Sequence, residues 1–598
     1  MYKRLIYLIR LYITLLLIFM TQKVVFMLVG MGHADGAPFG QCVAALWHGL
    51  RLDSVTACYI IVIPLLLVVV SCLAPFKKFR KWHRPYFAVV AILMAMAFVA
   101  DTVMYFFWGA KIDANELMYA AKPKEMLASI EWWTVIVGAV LLAAVVWHYV
   151  RRMMHTVPGK LFAVENKWHT LIFIPIAALV FIGMRGGLSK STANPSYAYF
   201  SKYAFCNHAA LNPLFNMIHS MFKVKDLEHE FVFMSDDEAQ SIAMPVFAYD
   251  GSVKDTLLNT SRPDILLIVW EGGGWDMTMS DSISPNLMRY SREGVLFSNC
   301  MANNFRTDRG LVSILNGWQG LATTSLMKMS DKCRKLPALA SSLKNEGYAT
   351  RFVYGGDLGF TNMRMYLSET GFESVVGIES FPDSRGLSNW GAPDAYVLTT
   401  DQVAKQSPSF TTILTLSSHE PWDVPMHRLQ DIRKNTFAYT DSCIGVLVDQ
   451  LRQSPRWDSM LVIIIPDHGI PQSNSQSTSD PAVSHIPVVW TGGAVRQHRE
   501  FSQLMSQSDL AATLLAQLNI DASDFVFSNN VLSFSYANRR PFALHAFKSG
   551  YNYITPTGSV RYECINDSVI PMDADVNADD DRFVHALVQY IYQRTSKL

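Results

Sequence analysis

Apolar positions are unevenly distributed along this chain. Five long apolar stretches, at about 5–29, 55–75, 86–108, 131–150 and 169–185, lie before residue 187, and none of comparable length follows. Each is near the ~20 residues a helix needs to cross a bilayer, so 1–187 is predicted to form a helical transmembrane bundle of about five spans. The first span contains Arg10, Gln22 and Lys23, and no small-residue cleavage signal follows it, so it reads as a retained anchor. Lys3 and Arg4 precede that span; Lys77, Lys78, Arg80, Lys81 and Arg84 separate the second from the third; Arg151, Arg152, Lys160 and Lys167 separate the fourth from the fifth. Basic loops stay in the cytoplasm. The alternate loops, 31–54 and 109–130, are less basic or mix Lys111 with Asp113 and Glu116, so an odd number of spans places everything after 187 outside. Trp132, Trp133, Trp147 and Trp168 near the span ends fit an interfacial belt.

Residues 188–262 are polar and aromatic, with a short helical stretch at 212–222, and read as a membrane-proximal connector. From 263 to 545 short apolar runs at 265–270, 349–354, 411–416, 460–465 and 486–490 alternate with helical segments such as 337–346 and 437–453. Continuous apolar runs of that length read as buried parallel strands, and the alternation predicts an α/β domain. A C-terminal extension with a terminal helix fills 546–598. Asp573, Asp575, Asn577 and Asp579 resemble the start of a calcium loop, but Ala578 and Val584 stand where it needs Gly and Glu, so they read as an acidic first turn.

Composition supports a membrane protein: 17% of residues are charged, against roughly 25% in soluble proteins, and 50% are hydrophobic. The net charge of +1 offers no electrostatic case for a nucleic-acid partner. Eight cysteines without a C-x-x-C pair exclude a zinc knuckle or dithiol motif and read as mostly structural, with one or two bridges, such as one from Cys206, left open.

In such a sheet the site lies beyond the carboxyl ends of the strands. The run 265–270 is followed by Glu271 and three glycines, 460–465 by Pro466-Asp467-His468-Gly469, and 411–416 by Ser417-Ser418-His419-Glu420. Singly each reads equally as a turn. Together they bring two carboxylates and two histidines to one edge, the donor set of a divalent-metal site. Thr307, in a polar loop before the helical 311–315, supplies a hydroxyl at a helix N-terminus, either as a nucleophile activated by the metal or as a simple N-cap.

These fragments in this order resemble the lipoteichoic acid synthase-like branch of the alkaline phosphatase and sulfatase superfamily, over roughly 195–540. The resemblance rests on Pro263-Asp264-Ile265 through Glu271, the Thr307 loop, Leu336-Pro337 through Gly347-Tyr348, Gly355-Gly356-Asp357, the His419 segment, Tyr439-Thr440-Asp441 and Asp467-His468-Gly469. It implies an extracytoplasmic catalytic domain of alkaline phosphatase/sulfatase type, on a multi-pass protein of the bacterial inner membrane. It further implies one divalent ion on Glu271, Thr307, Asp467 and His468, with manganese first and magnesium or zinc as alternatives. Thr307 would be the nucleophile, His419 the proton donor to the leaving alkoxide, and Asp357 and Arg364 substrate contacts, Arg364 as the phosphate clamp.

Asn362 stands where glycerol-phosphate polymerising synthases tend to carry Trp, which puts the glycerol head group in doubt. His485 resembles an extra histidine of phosphoethanolamine-transferring relatives and reads equally as a strand-start residue. Sulfatases of this superfamily use a formylglycine made from Cys or Ser, which Thr307 cannot become, so a phosphorus ester is the expected substrate. The function implied is phosphoglycerol transfer from an outer-leaflet phospholipid to a glycan, lipid or polymer acceptor. Phosphoethanolamine transfer, or hydrolysis with water as acceptor, are the alternatives.

Overall fold

The structure is a computed structural model, and it describes all residues except 35, 74–78, 109–110, 112–131, 160–166, 190, 223–225, 385–387, 472–475, 565–566 and 573–578. Lys77, Lys78, Asp113, Glu116, Lys160, Asp573, Asp575, Asn577 and Ala578 lie outside the described residues, as do the side chains of Trp132, Trp133 and Asp579. The chain divides into two compact units, Met1–Val224 and Lys225–Leu598.

In the first unit, four helical stretches among the described residues are long and apolar enough to cross a membrane: Tyr2–His33, Phe39–Leu73, Phe79–Phe106 and Lys167–Arg185. The 25-residue helix Trp132–Thr156 stands where the remaining span is expected. The second stretch begins well before residue 55, because the Phe39–His48 helix runs almost directly into Leu50–Leu73. Tyr7, Leu11, Leu15, Ile61 and Val68 pack at its centre. Lys23, nearly fully buried, pairs with Asp53, which also accepts 2.8 Å from Asn212 Nδ2. A charge buried among apolar helices costs several kcal/mol unless it is paired in this way. The 212–222 stretch forms the Pro213–Met221 helix, capped by Asn212, within the same unit.

The second unit is built on a nine-stranded sheet. In chain order its strands are β1 (Asp264–Trp270), β2 (Val295–Met301), β3 (Ala349–Tyr354), β4 (Ser374–Val376), β5 (Ser409–Leu414), β6 (Met460–Pro466), β7 (His485–Thr491), β8 (Arg499–Phe501) and β9 (Met505–Ser506). Their spatial order is β4-β3-β5-β1-β6-β7-β2-β8, with β9 beside β2. β1, β5 and β6 are buried throughout, as strands covered on both faces must be. The one departure from the expected parallel sheet is β7, antiparallel to both β6 and β2. Its connection from β6, residues 467–484, carries no α-helix among the described residues, only a four-residue 3₁₀ turn, whereas a parallel return usually runs through a helix. Ala543–Phe547, Gly550–Thr555, Gly558–Glu563 and Ser568–Pro571 make a separate antiparallel sheet, and the Asp579–Ser596 helix follows. All eight cysteines are free, and Cys206 Sγ stands 3.9 Å from Cys42 Sγ.

Candidate functional site

Glu271 follows the last residue of β1, and Asp467 and His468 follow the last residue of the neighbouring β6. The parallel register puts Trp270 opposite Pro466, so the two chain ends leave the sheet side by side. The turn after Glu271 needs glycine: Gly272 has φ +66°, and its N–H donates 2.9 Å to Asp467 Oδ1. His468 N–H donates to the same oxygen at 2.8 Å. One carboxylate oxygen is thus saturated by main chain. The other, Asp467 Oδ2, is buried with no hydrogen-bond partner among the described residues.

His468 Nδ1 lies 2.9 Å from the Gly469 carbonyl, which fixes the proton there and turns Nε2 toward the carboxylates. Nε2 sits 3.5 Å from both Glu271 Oε1 and Asp467 Oδ2, too far for a good hydrogen bond. One donor atom from each of Glu271, Asp467 and His468 falls within 4.8 Å of the others. An unpartnered buried oxygen, a second carboxylate and an imidazole nitrogen facing a common point fit a divalent cation with mixed oxygen and nitrogen ligands.

The electrostatics show the same strain toward positive charge. Burial, then the Glu271 charge, pushes Asp467 up to about 7. Burial would raise Glu271 too, but the adjacent His468 imidazole outweighs it and holds Glu271 below the usual carboxylate range. Burial opposes a charged His468, and the two carboxylates overcome it, so His468 is raised well above an ordinary histidine.

Thr307 enters from a different direction. It is the first residue of the Thr307–Asn316 helix, with Arg306 as the N-cap, so its hydroxyl does not cap the helix. Instead Oγ1 donates 3.0 Å to Glu271 Oε2. Of the two readings open in the sequence, the capping one fails on this geometry. Half-buried His419 follows β5, with Nδ1 2.8 Å from the Glu420 carbonyl and its ring 4.5 Å from that of Trp390. Glu271, Thr307, His419 and His468 all line one open cavity of about 570 Å³.

The other expected residues lie elsewhere. Arg364 pairs with Glu379 and does not line the cavity, although Phe360, Thr361 and Met363 just before it do. Asp357 Oδ1 closes a turn on Gly359 N–H at 2.8 Å. Asn362, buried and with φ +67°, precedes the Met363–Glu369 helix. His485 stacks on Trp275 with centroids 4.3 Å apart, donates toward the Ser298 carbonyl at 2.9 Å, and borders a separate small cavity of about 120 Å³.

Sequence reading missed three contributors. Arg306 and Arg433 line the main cavity, and Arg433 lies 4.7 Å over the ring of Trp422, another lining residue. Buried Asp394 accepts from Leu416 N–H at 2.8 Å, Ser417 N–H at 3.3 Å and Thr440 Oγ1 at 2.6 Å, fixing the loop that carries His419. Arg306 was within reach, next to Thr307. The rest come from segments distant in sequence, with no motif to mark them.

Residues 263–520 match the family model described as Sulfatase. Phosphoglycerol transferase I of Xanthomonas euvesicatoria pv. vesicatoria (strain 85-10) is 24% identical over 287 residues, 43% of this chain and 41% of that protein. The chain thus spans about two fifths of the length of the curated relatives it matches. A crystal structure of a protein in the alkaline phosphatase superfamily from Vibrio parahaemolyticus superposes with a TM-score of 0.53 at 20% identity, over 62% of this chain and 98% of that one. The lipoteichoic acid synthase LtaP from Listeria monocytogenes gives 0.48 at 16% identity, over 61% and 98%. The second unit of this chain therefore carries a domain that matches the sulfatase family, has the fold of the Vibrio parahaemolyticus crystal structure and is distantly homologous to phosphoglycerol transferase I.

Proposed function

We propose that this protein is a membrane-anchored, metal-dependent phosphotransferase that moves a phosphoglycerol head group from a phospholipid to an acceptor outside the cytoplasm, through a covalent intermediate on Thr307. The acceptor is a hydroxyl of a glycan, lipid or growing polymer. The observation that carries this reading is the Thr307 hydroxyl, released from capping and set 3.0 Å from Glu271 on the wall of the cavity. A divalent cation held by Glu271, Thr307, Asp467 and His468 supplies, when bound, positive charge that favours the deprotonated hydroxyl and offsets charge on the phosphoryl oxygens.

The chain's own groups carry the rest. With its proton lost to solvent, Thr307 Oγ bonds to phosphorus as the bond from phosphorus to the diacylglycerol oxygen breaks. His419, its Nδ1–H on the Glu420 carbonyl, gives its Nε2 proton to that leaving oxygen. The acceptor hydroxyl then returns a proton to Nε2 as its oxygen attacks phosphorus and Thr307 leaves. Arg306 and Arg433 hold phosphate oxygens through paired N–H donors. In this reading Arg364 joins them by exchanging Glu379 for substrate, and Asp357 and Asn362 shape the turn beside it.

The apolar helices of the first unit keep the catalytic domain at the surface where a lipid donor is concentrated. A sulfate ester is disfavoured because oxidising a threonine side chain gives a ketone, not the formylglycine aldehyde. Incubation of the full-length protein with phosphatidylglycerol and manganese tests the reading. Diacylglycerol release is expected from the unaltered protein and not from Thr307→Ala, and equal release from both would defeat it.

A further inference from the structure

The first unit holds a second cavity, of about 530 Å³, between the Tyr2–Val29 and Trp132–Thr156 helices. Gln22 Nε2 donates 2.9 Å to Tyr149 OH across these helices, which fixes their relative level. From that level the first helix runs back toward its start while the other runs on to its end, and Arg10, Arg152 and His155 all line the cavity between them. Ile13, Leu17 and Ile18 line the remainder of its wall on the first helix, and Thr14 stands between the two characters.

Arg10 is the telling residue, a permanent charge more than two turns inside the helix, between the apolar runs Leu5–Ile9 and Leu15–Phe19. Among the described residues, no carboxylate forms an ion pair with Arg10 or with Arg152. An arginine in a membrane helix is costly enough that it needs an anionic partner or access to water. Two guanidiniums beside an apolar wall match a phosphate joined to acyl chains better than they match an inorganic ion, which gains nothing from Ile13 and Leu17.

We propose that this cavity is a binding site for an anionic phospholipid, with its phosphate on Arg10 and Arg152 and an acyl chain along Ile13 and Leu17, separate from the metal cluster. The test uses full-length Thr307→Ala protein in phosphatidylcholine nanodiscs with a photoactivatable phosphatidylglycerol, so that turnover does not consume the probe. Cross-links are expected on peptides covering residues 10–21 or 148–156. They should fall roughly tenfold in Arg10→Gln/Arg152→Gln and return in Arg10→Lys/Arg152→Lys, since losing two charge-assisted phosphate contacts is worth at least that factor. A thermal transition unchanged in both pairs reports that the protein has folded. Three outcomes would overturn the site: equal labelling by photoactivatable phosphatidylcholine, labelling indifferent to the Gln pair, or displacement of the probe by equimolar inorganic phosphate, which would make it a free-phosphate site.

Discussion

Gly310 lies so close to the main chain of Asp467 that a methyl group on it would fall 2.3 Å from the Asp467 carbonyl oxygen. The helix that begins at Thr307 is thereby pressed against the segment carrying two of the three clustered ligands. Thr307 and the Asp467–His468 pair are placed by one contact between backbones. Gly310→Ala must open that contact, which costs about 1–3 kcal/mol as overpacking does. Thermal melting should show a lower transition, and manganese titration a weaker site. A variant with unaltered melting and affinity would show that the contact is slack.

Asp467→Asn separates structure from charge. Asn Oδ1 can still accept from Gly272 and His468, so the turn survives, while the buried anionic oxygen is lost. Melting of the metal-free protein should change little or rise, because Asp467 is held near 7 by burial and by Glu271. Manganese affinity, measured by calorimetry, should drop by roughly two orders of magnitude or more, beyond what loss of a supporting partner costs.

Metal binding should release protons. Asp467 is raised to about 7 and His468 is raised as well, so at neutral pH the metal-free cluster carries protons that a cation must displace. Affinity therefore rises with pH through about 7, by up to about tenfold per unit for each proton displaced. The raised Asp467 also works against folding: its penalty is absent below the ordinary aspartate range and grows as pH rises toward 7, so the metal-free domain is destabilised over that window. Titration in two buffers of different ionisation enthalpy counts the protons. Equal heats in both would contradict the account.

Arg433 and Arg364 differ in their partners before substrate arrives. Arg433 already lines the cavity and is stacked on Trp422, so Arg433→Gln should raise KM roughly tenfold. Arg364 is engaged by Glu379. If substrate draws it away, Glu379→Gln lowers KM while Arg364→Gln raises it. Steady-state diacylglycerol release measures all three, and a Glu379→Gln enzyme with a higher KM would place Arg364 outside the substrate path.

The strand ends were legible because β1, β5 and β6 are continuous apolar runs that stop at polar residues, and the chemistry sits at the stop. Glu271, Asp467 and His468 could be assembled from that rule alone. The reversal of β7 was not legible, since an apolar run carries no direction and only the length and content of the preceding connection decide it. The C-terminal sheet escaped notice because polar residues such as Asn552, Arg561 and Glu563 interrupt its strands, so they make no continuous apolar run. Asp394 and Arg433 escaped for another reason: each acts on a segment distant in sequence, so only packing reveals them.

Mass spectrometry of the full-length protein, after incubation with phosphatidylglycerol and manganese, tests the central claim most directly. Peptide mapping should place a glycerophosphate on Thr307, absent from Thr307→Ala and lost on addition of an acceptor. Thr307-independent diacylglycerol release, or an adduct on another residue, would contradict it.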